Sequence, residues 1–146
     1  MKTLKDIKPG QFLYTIYIDY NGNGDYAGMI VSQRMVKFIQ ENTKYNEIEL
    51  CVERVRIFIF GVIATFSKDE EDHDHVKSKY SNNSDFIYCF SKEAFIRELF
   101  NISKNIKKTM ASKKQSFNTK RYRHYFMPHL MKMLNTNKSE HVQILF

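Results

Sequence analysis

The side chains best suited to chemistry in this chain are the lysines and arginines of its last third, where eight occur between positions 104 and 123. Cationic side chains neutralise phosphates and release counterions, which gives affinity for polyanions without sequence preference. Aromatic rings among them can stack on unpaired bases. The alternative is an ordinary amphipathic helix pair with a charged solvent-facing side. The candidate nucleic-acid-binding residues are Lys104, Lys107, Lys108, Lys113, Lys114, Phe117, Lys120, Arg121, Arg123 and Tyr125.

The charge of the whole chain is concentrated in the same region. Residues 104–146 carry ten Lys and Arg against one acid, a net charge of +9, whereas residues 1–103 carry 13 against 15, a net charge of −2. The formal net charge of +7 therefore comes from the last third alone. Such asymmetry is informative about partners. It indicates nucleic acid or a ribonucleoprotein, or alternatively an acidic surface on a host or viral protein.

A second group that could do chemistry is the run Asp-Glu-Glu-Asp-His-Asp-His at positions 69–75. Imidazole and carboxylate groups are ligands for zinc, manganese and nickel. In an extended segment His73 and His75 would point to the same side, so they are candidate metal ligands. No third cluster is in register with them, and a solvated loop is the favoured interpretation. The sequence therefore predicts no metal and no cofactor.

The first predicted hairpin carries two short motifs. Thr15-Ile16-Tyr17 precedes Tyr26-Ala27-Gly28, and Arg34 follows. Over about twenty residues this arrangement resembles the signature of the GIY-YIG endonucleases. In that family a hairpin carries both tyrosine motifs, and a following arginine assists phosphodiester cleavage. Thr15 replaces the first glycine, Ala27 replaces the isoleucine, and Arg34 comes sooner. The resemblance implies a metal-dependent nuclease, for which no later Glu can be assigned as metal ligand.

Tyrosines are concentrated around the same hairpin. Tyrosine is enriched at protein interfaces, and it is also an ordinary strand residue. If these side chains are exposed, a small protein could use them to act by contact alone, as an inhibitor or an assembly factor, for example in counter-defence. The candidate protein-interface residues are Tyr14, Tyr17, Tyr20 and Tyr26.

Familiar catalytic signatures do not occur in the sequence. It has no phosphate-cradling glycine loop, no nucleophile elbow and no His-Glu-x-x-His motif. Cys51 and Cys89 lie in apolar, strand-like runs, and no histidine near them in the sequence could activate them. We therefore expect buried free thiols, with a Cys51–Cys89 disulfide as the alternative. We expect no catalytic residues and a protein that is not an enzyme.

The composition is that of an ordinary globular protein. A length of 146 residues suits one domain, and a hydrophobic fraction of 42% suffices for its core. The first residues lack the apolar stretch of a signal peptide, and the apolar run 57–66 is too short to span a bilayer as a helix, so a cytoplasmic location is expected. The excess of Lys, Asn, Ile, Phe and Tyr is typical of AT-rich coding DNA, as in many phages and mobile elements.

Periodicity predicts the elements that position these residues. Alternation with period two predicts strands over about 11–19, 26–33 (continuing or resuming over 35–39), 47–53, 62–66 and 85–90. The inward-facing phase slips at Arg54, after which Val55, Ile57 and Ile59 carry the inward set. A β-bulge near Glu53-Arg54 is therefore predicted to join the two runs in one strand. The polar residues 67–84 predict a loop. Residues 136–146 predict a tail or a short edge strand.

Two helices are predicted between the last of these strands and the tail. Ser91 is a good N-cap for a helix over about 92–110 with an apolar stripe at helical spacing. Thr119 is the predicted cap of a second helix, which Pro128 must kink or restart after Phe126. Strands in 1–90 and basic helices in 91–135 predict one α+β domain. Its fold is a small curled antiparallel sheet or partly open barrel of five to six strands, with two C-terminal helices packed on it.

These observations predict a small non-enzymatic binding protein, encoded by a phage or mobile element, that engages nucleic acid or a ribonucleoprotein through a basic C-terminal helical face. The first alternative is a protein–protein inhibitor or assembly factor that acts by surface contact. The second alternative is a metal-dependent nuclease.

Overall fold

The computed structural model describes residues 2–3, 6–42, 47–52, 55–56, 65–67, 73–81 and 83–146. Two helical segments of its second half are joined through a π-helical turn, Tyr122–Phe126. The remaining elements, in chain order, are β1 Phe12–Tyr20, β2 Tyr26–Asn42, β3 Glu47–Val52, β4 Val55–Arg56, β5 Thr65–Ser67, β6 His75–Ser81, β7 Ser84–Cys89, α1 Lys92–Ser112, α2 Thr119–Arg121, α3 Met127–Leu134 and β8 Glu140–Leu145.

Five strands form an open antiparallel sheet in the order β8-β2-β1-β7-β6. β1 lies at its centre, where Ile16 pairs with Val31 of β2 on one side and with Ile87 of β7 on the other. All three side chains are buried on the face that the helices cover. Because alternate residues of a strand share a face, the period-two pattern read from the sequence is the one that builds this core. The predicted α+β fold with a partly open sheet and two helices is confirmed.

Strand β2 takes part in two different pairings. Residues 28–33 lie between β1 and β8, whereas residues 36–42 pair with β3. The strand therefore continues without a break through 35–39. Strands β4 and β5 both pair with β3.

The predicted β-bulge falls on residues 53 and 54, which lie outside the described residues. The flanking residues belong to two strands that pair in antiparallel fashion, with Val52 opposite Val55. The prediction that one strand continues from 47–53 through Val55 was therefore wrong.

The prediction of a loop over 67–84 was also wrong, because His75–Ser81 forms β6 at the edge of the sheet. This strand has the sequence HVKSKYS, which contains Val76 as its one aliphatic residue. Edge strands bury little and are commonly rich in lysine, which discourages pairing with other chains. A strand of this kind lacks the apolar alternation from which strands are recognised.

The helices close the core on one face of the sheet. Ser91 caps α1, and its Oγ accepts a hydrogen bond from the Ala94 N–H at 3.1 Å. The second helix is capped by Asn118 and not by Thr119, because the Asn118 side chain accepts from the Arg121 N–H at 3.0 Å. A new segment, α3, starts directly after Phe126, as Pro128 predicted. Among the described residues no helix combines the length and the apolar character needed to cross a membrane.

Cys89 is a buried free thiol in β7, as predicted. Burial first, and then the negative charges of Glu98 and Asp74, raise its pKa to about 12. A thiol with this pKa is protonated at neutral pH and is a poor nucleophile. The side chain of Cys51, in β3, is not among those described.

A candidate nucleic-acid interface

Helix α1 turns one row of side chains to solvent because its opposite side is fixed in the core. Phe95 and Leu99 are fully buried against the sheet. On the outer side Phe100, Lys104 and Lys108 are exposed. Residues four apart are neighbours on a helix surface, so these three side chains form one row. The row places two of the predicted phosphate-binding lysines beside an aromatic ring.

Phe100 was not among the predicted binding residues. Its side chain is 54% exposed, an unusual state for a phenylalanine. The sequence feature that could have identified Phe100 is its spacing, because it lies outside the apolar stripe of α1 and one helical turn before Lys104.

Lys107 joins α1 to the second helix. Its Nζ lies 4.7 Å from the ring centroid of Tyr122 and 5.1 Å from that of Phe117. The buried Tyr122 hydroxyl also donates a hydrogen bond to Ser103 Oγ of α1 at 3.0 Å. Cation–π contacts of this kind are worth about 0.5–1 kcal/mol at exposed sites. Lys107 thus fixes the two helices relative to each other and leaves its charge at the surface between them.

The second helix contains one wide turn, at Tyr122–Phe126. The Met127 N–H bonds to the carbonyl oxygen of Tyr122, five residues earlier. Pro128 explains the position of this turn, because proline lacks an N–H and its ring crowds the preceding helical turn. The rings of Tyr122 and Phe126 are buried and stacked at 5.3 Å. The wide turn keeps both in the core, on the side that faces α1 and the sheet.

The outer side of the same turn is basic and aromatic. Arg121, Arg123 and Tyr125 are exposed there, and Tyr125 keeps 44% of its surface accessible. The Arg121 guanidinium carbon lies 5.4 Å from the Tyr125 ring centroid, and the His129 ring lies 4.4 Å from it. The His129 Nδ1–H donates to the Tyr125 carbonyl oxygen at 2.7 Å. An exposed ring held beside a guanidinium group and an imidazole ring in this way is suited to stacking on a base.

Phe117, the other predicted stacking residue, packs within the protein. Its ring is half-buried and contacts the rings of Tyr122 and Phe146 at 5.5 and 5.7 Å. Lys107 covers it as well. The structure therefore places Phe117 in the packing between the helices and β8, and Phe100 is the second exposed ring beside the cations.

Lys113, one of the predicted nucleic-acid-binding residues, forms a salt bridge with an acid of the first hairpin. Its Nζ lies 2.8 Å from Asp25 Oδ1, and this hydrogen bond lowers the pKa of Asp25. Over the ranges that the structure describes, the other basic residues of the set make no salt bridge. The described carboxylates thus leave most of this charge unneutralised. The exposed cations are Lys104, Lys108, Lys114, Lys120, Arg121 and Arg123.

Lys114 ends α1 in a backbone conformation that suits glycine. Its φ is 57°, and the N–H groups of Lys114 and Gln115 bond to the carbonyl oxygens of Ala111 and Met110 at 3.0 and 2.8 Å. This is the Schellman pattern, in which the residue with positive φ is usually glycine. A side chain at this φ costs roughly 1 kcal/mol or more.

Lys114→Gly is therefore expected to raise the free energy of unfolding by roughly 0.5–1 kcal/mol, because relief of strain exceeds the added entropy of the unfolded chain. Urea denaturation measures the change. Lys114→Ala is the control, since it removes the same charge and keeps the strain. A glycine variant no more stable than the alanine variant would contradict this interpretation.

The four hairpin tyrosines do not form one surface. Tyr14 is buried and stacks on Phe95 of α1 at 5.4 Å. Tyr17 lies on the opposite face of the sheet, away from the helices. Tyr20 and Tyr26 are half-buried, with ring centroids 5.1 Å apart, on the helix side. The predicted tyrosine interface is therefore divided between two faces. Because Tyr17 and Tyr26 are on opposite faces, the two nuclease-like motifs do not share a site either.

The two candidate metal ligands have different surroundings. His73 is exposed, whereas His75 begins β6 and faces α1. The His75 Nδ1 lies 2.7 Å from Asp74 Oδ1, and its Nε2 lies 3.3 Å from Glu98 Oε1. Both ring nitrogens are thus engaged with carboxylates. Among the described residues, which omit 68–72, no group of three or more potential ligands surrounds a metal position.

Arg97 completes this cluster. Its two terminal nitrogens bond to both oxygens of Asp74 at 2.7 and 2.8 Å, and its Nε donates to Glu98 at 3.1 Å. Asp74 and Glu98 are both buried. The cluster therefore fixes the start of β6 to α1 and serves stability.

Comparison with known proteins adds no relative to this description. No protein-family model matches the chain, and no curated protein or solved structure does so at a significant level.

Proposed function

We propose that this protein binds nucleic acid through the outer side of its helices. The observation that carries the proposal is that the cations there are exposed and, in the part of the chain that the structure describes, free of salt bridges. We call this surface the basic helical face, and it consists of Phe100, Lys104, Lys108, Lys120, Arg121, Arg123 and Tyr125.

Sequence and structure support this function through charge and through ring exposure. No Asp or Glu occurs between Glu98 and Glu140, so the segment of the chain that carries these cations contains no acid of its own. Unneutralised cations attract a phosphate backbone whatever its sequence. Phe100 and Tyr125 add exposed rings, and stacking on an aromatic ring is worth about 1–3 kcal/mol per base in single strands. A single strand therefore fits the surface better than a duplex, whose bases are already stacked.

The proposal is tested by the salt dependence of binding to a labelled single strand. If four or five phosphates are contacted, the logarithm of the affinity falls against the logarithm of salt concentration with a slope of roughly −3 to −4. Fluorescence anisotropy between 50 and 200 mM salt, a range of about fourfold, measures this slope. The double variant Lys104→Gln/Lys108→Gln is expected to make it shallower by roughly 1.4, because two contacts are lost.

The double variant Lys8→Gln/Lys37→Gln is the matched control. It removes the same charge from exposed positions outside the helices. Its slope is expected to equal that of the unmodified protein. Equal effects of the two double variants would show attraction to net charge alone, and binding that is insensitive to salt would contradict the proposal.

An acidic protein surface is the second candidate partner. Met131 of α3 is 53% exposed on the same pair of helices as Phe100 and Tyr125, and exposed aromatic and methionine side chains beside arginine are typical of protein interfaces. Recovery of the protein from the native cell, followed by nuclease treatment, separates the two partners. A partner protein that remains bound after nuclease favours this second function.

A further inference from the structure

A cleft of about 350 Å³ lies between α1 and the sheet, beside the first hairpin. Its apolar walls come from Ile18 and Ile87 of the sheet and from Ile102 of α1. Its volume is at the lower end of the range for small-molecule pockets, which is roughly 300–1,000 Å³. The space suits one planar ring with its substituents and excludes a duplex.

Two tyrosines give the cleft an aromatic wall of fixed geometry. The rings of Tyr20 and Tyr26 lie 5.1 Å apart and are inclined by 34°. The Tyr20 hydroxyl donates to Asp85 Oδ2 at 2.8 Å. Burial first, and then this hydrogen bond, raise the pKa of Tyr20. Tyr20 therefore keeps its proton and holds the Asp85 carboxylate in place at the cleft.

The polar lining offers both an acceptor and donors. Asp85 has a second carboxylate oxygen with no hydrogen-bond partner among the described side chains. Lys77 and Asn105 line the same cleft and are exposed, and within the described residues Lys77 makes no salt bridge. An acceptor next to donors is the arrangement that reads the edge of a nucleobase, and a carboxylate accepts from the exocyclic amine of cytosine.

The position of the cleft connects it to the basic helical face. Asn105 is three residues from Lys108, and side chains three apart are neighbours on a helix surface. Tyr26 follows Asp25, which is paired with Lys113 at the end of α1. We propose that the cleft receives one unpaired base of a single strand and that Asp85 accepts a hydrogen bond from an exocyclic amino group of that base. This inference rests on the proposed function, because the phosphates of the same strand would lie on the basic helical face.

The test compares two single strands of about 12 nucleotides, oligo-deoxycytidine and oligo-deoxyuridine. Their bases have similar size and differ mainly at one edge, where cytosine carries an amine and uracil an oxygen. The unmodified protein is expected to bind the cytidine strand roughly fivefold or more tightly, with the same salt slope for both strands.

Asp85→Asn retains the shape of the side chain and an acceptor for Tyr20, but it places an amide where the carboxylate was. It is expected to abolish the preference for cytidine without changing the salt slope. Asp19→Asn is the control. Asp19 precedes Tyr20 in β1 and pairs with Ser84 of β7, but its side chain lies on the face of the sheet away from α1. The Asp19→Asn variant is expected to keep the preference for the cytidine strand.

A second variant keeps the proposal testable if Asp85→Asn fails to fold, which thermal unfolding would reveal. Asn105→Tyr adds a large side chain at an exposed helix position on the wall of the cleft and is expected to abolish the preference by filling it. Equal affinity for the two strands with a steep salt dependence would overturn the cleft proposal and leave the proposed function standing. Absence of salt-dependent binding to either strand would overturn both.

Discussion

Replacing Phe126 with alanine is expected to lower the free energy of unfolding by about 3–5 kcal/mol, because the ring is fully buried and its removal leaves a cavity. Phe126 stacks on Tyr122 within the π-helical turn, and Tyr122 donates a hydrogen bond to Ser103 of α1. Loss of the ring therefore loosens the second helix from α1 as well. Chemical denaturation followed by far-UV circular dichroism measures the change.

Tyr125→Ala is the control from the adjacent position. Its side chain is 44% exposed on the outer side of the same turn. We expect its effect on stability to stay within roughly 0.5 kcal/mol, as for most surface substitutions. Its effect on nucleic-acid affinity is expected to be larger, because the stacking ring is removed. If both variants destabilised the protein equally, the assignment of inner and outer sides of this helix would be wrong.

Replacing Arg97 with glutamine is expected to lower the free energy of unfolding by about 2 kcal/mol at neutral pH. Arg97 is half-exposed, but its partners Asp74 and Glu98 are buried. The loss comes from carboxylates that stay desolvated without their charged donor. Arg97→Lys keeps the charge and loses the two-point contact with Asp74, so it should recover only part of the stability.

The stability of the Arg97→Gln variant should fall less on acidification than that of the unmodified protein. The hydrogen bonds from Arg97, more than any other contact, lower the pKa of Asp74 from its ordinary value of 3.8 to about 2. Because the folded pKa lies below the unfolded one, this stabilisation is complete above about pH 4 and is lost as the pH falls toward 2. The stability gap between the unmodified protein and Arg97→Gln should therefore shrink over that interval. A gap that is constant from pH 6 to pH 2.5 would contradict the role given to this pair.

The parts of the fold that the sequence predicts are those in which a single apolar face repeats. Strands β1 and β2 and helix α1 each bury one face, so alternation or helical spacing is visible along the chain. Strand β6 was missed because it lies at the edge and consists mostly of lysine, histidine and serine. The pairing of β3 with β4 was missed because a change of phase in the apolar pattern does not distinguish one strand that continues from two strands that pair.

The candidate nucleic-acid interface was also predictable only in part. Its charge is a property of composition, and helical spacing alone predicts that Lys104 and Lys108 face solvent. The different surroundings of Phe117 and Tyr125 depend on how the second helix lies against α1. That orientation follows from the wide turn before Pro128, and no spacing in the sequence gives the width of a turn. The cleft is beyond prediction from local patterns because it joins residues from β1, β2, β6, β7 and α1.

The double role of β2 has a consequence for the order in which this protein folds. One edge of β2 pairs with β8 through contacts such as Ser32 with His141, more than a hundred positions apart in the chain. Non-local pairings of this kind give a high contact order and slow folding, because a long loop must close before they form. Until the β8 segment has emerged from the ribosome, the nascent chain carries an open strand edge that can capture other chains.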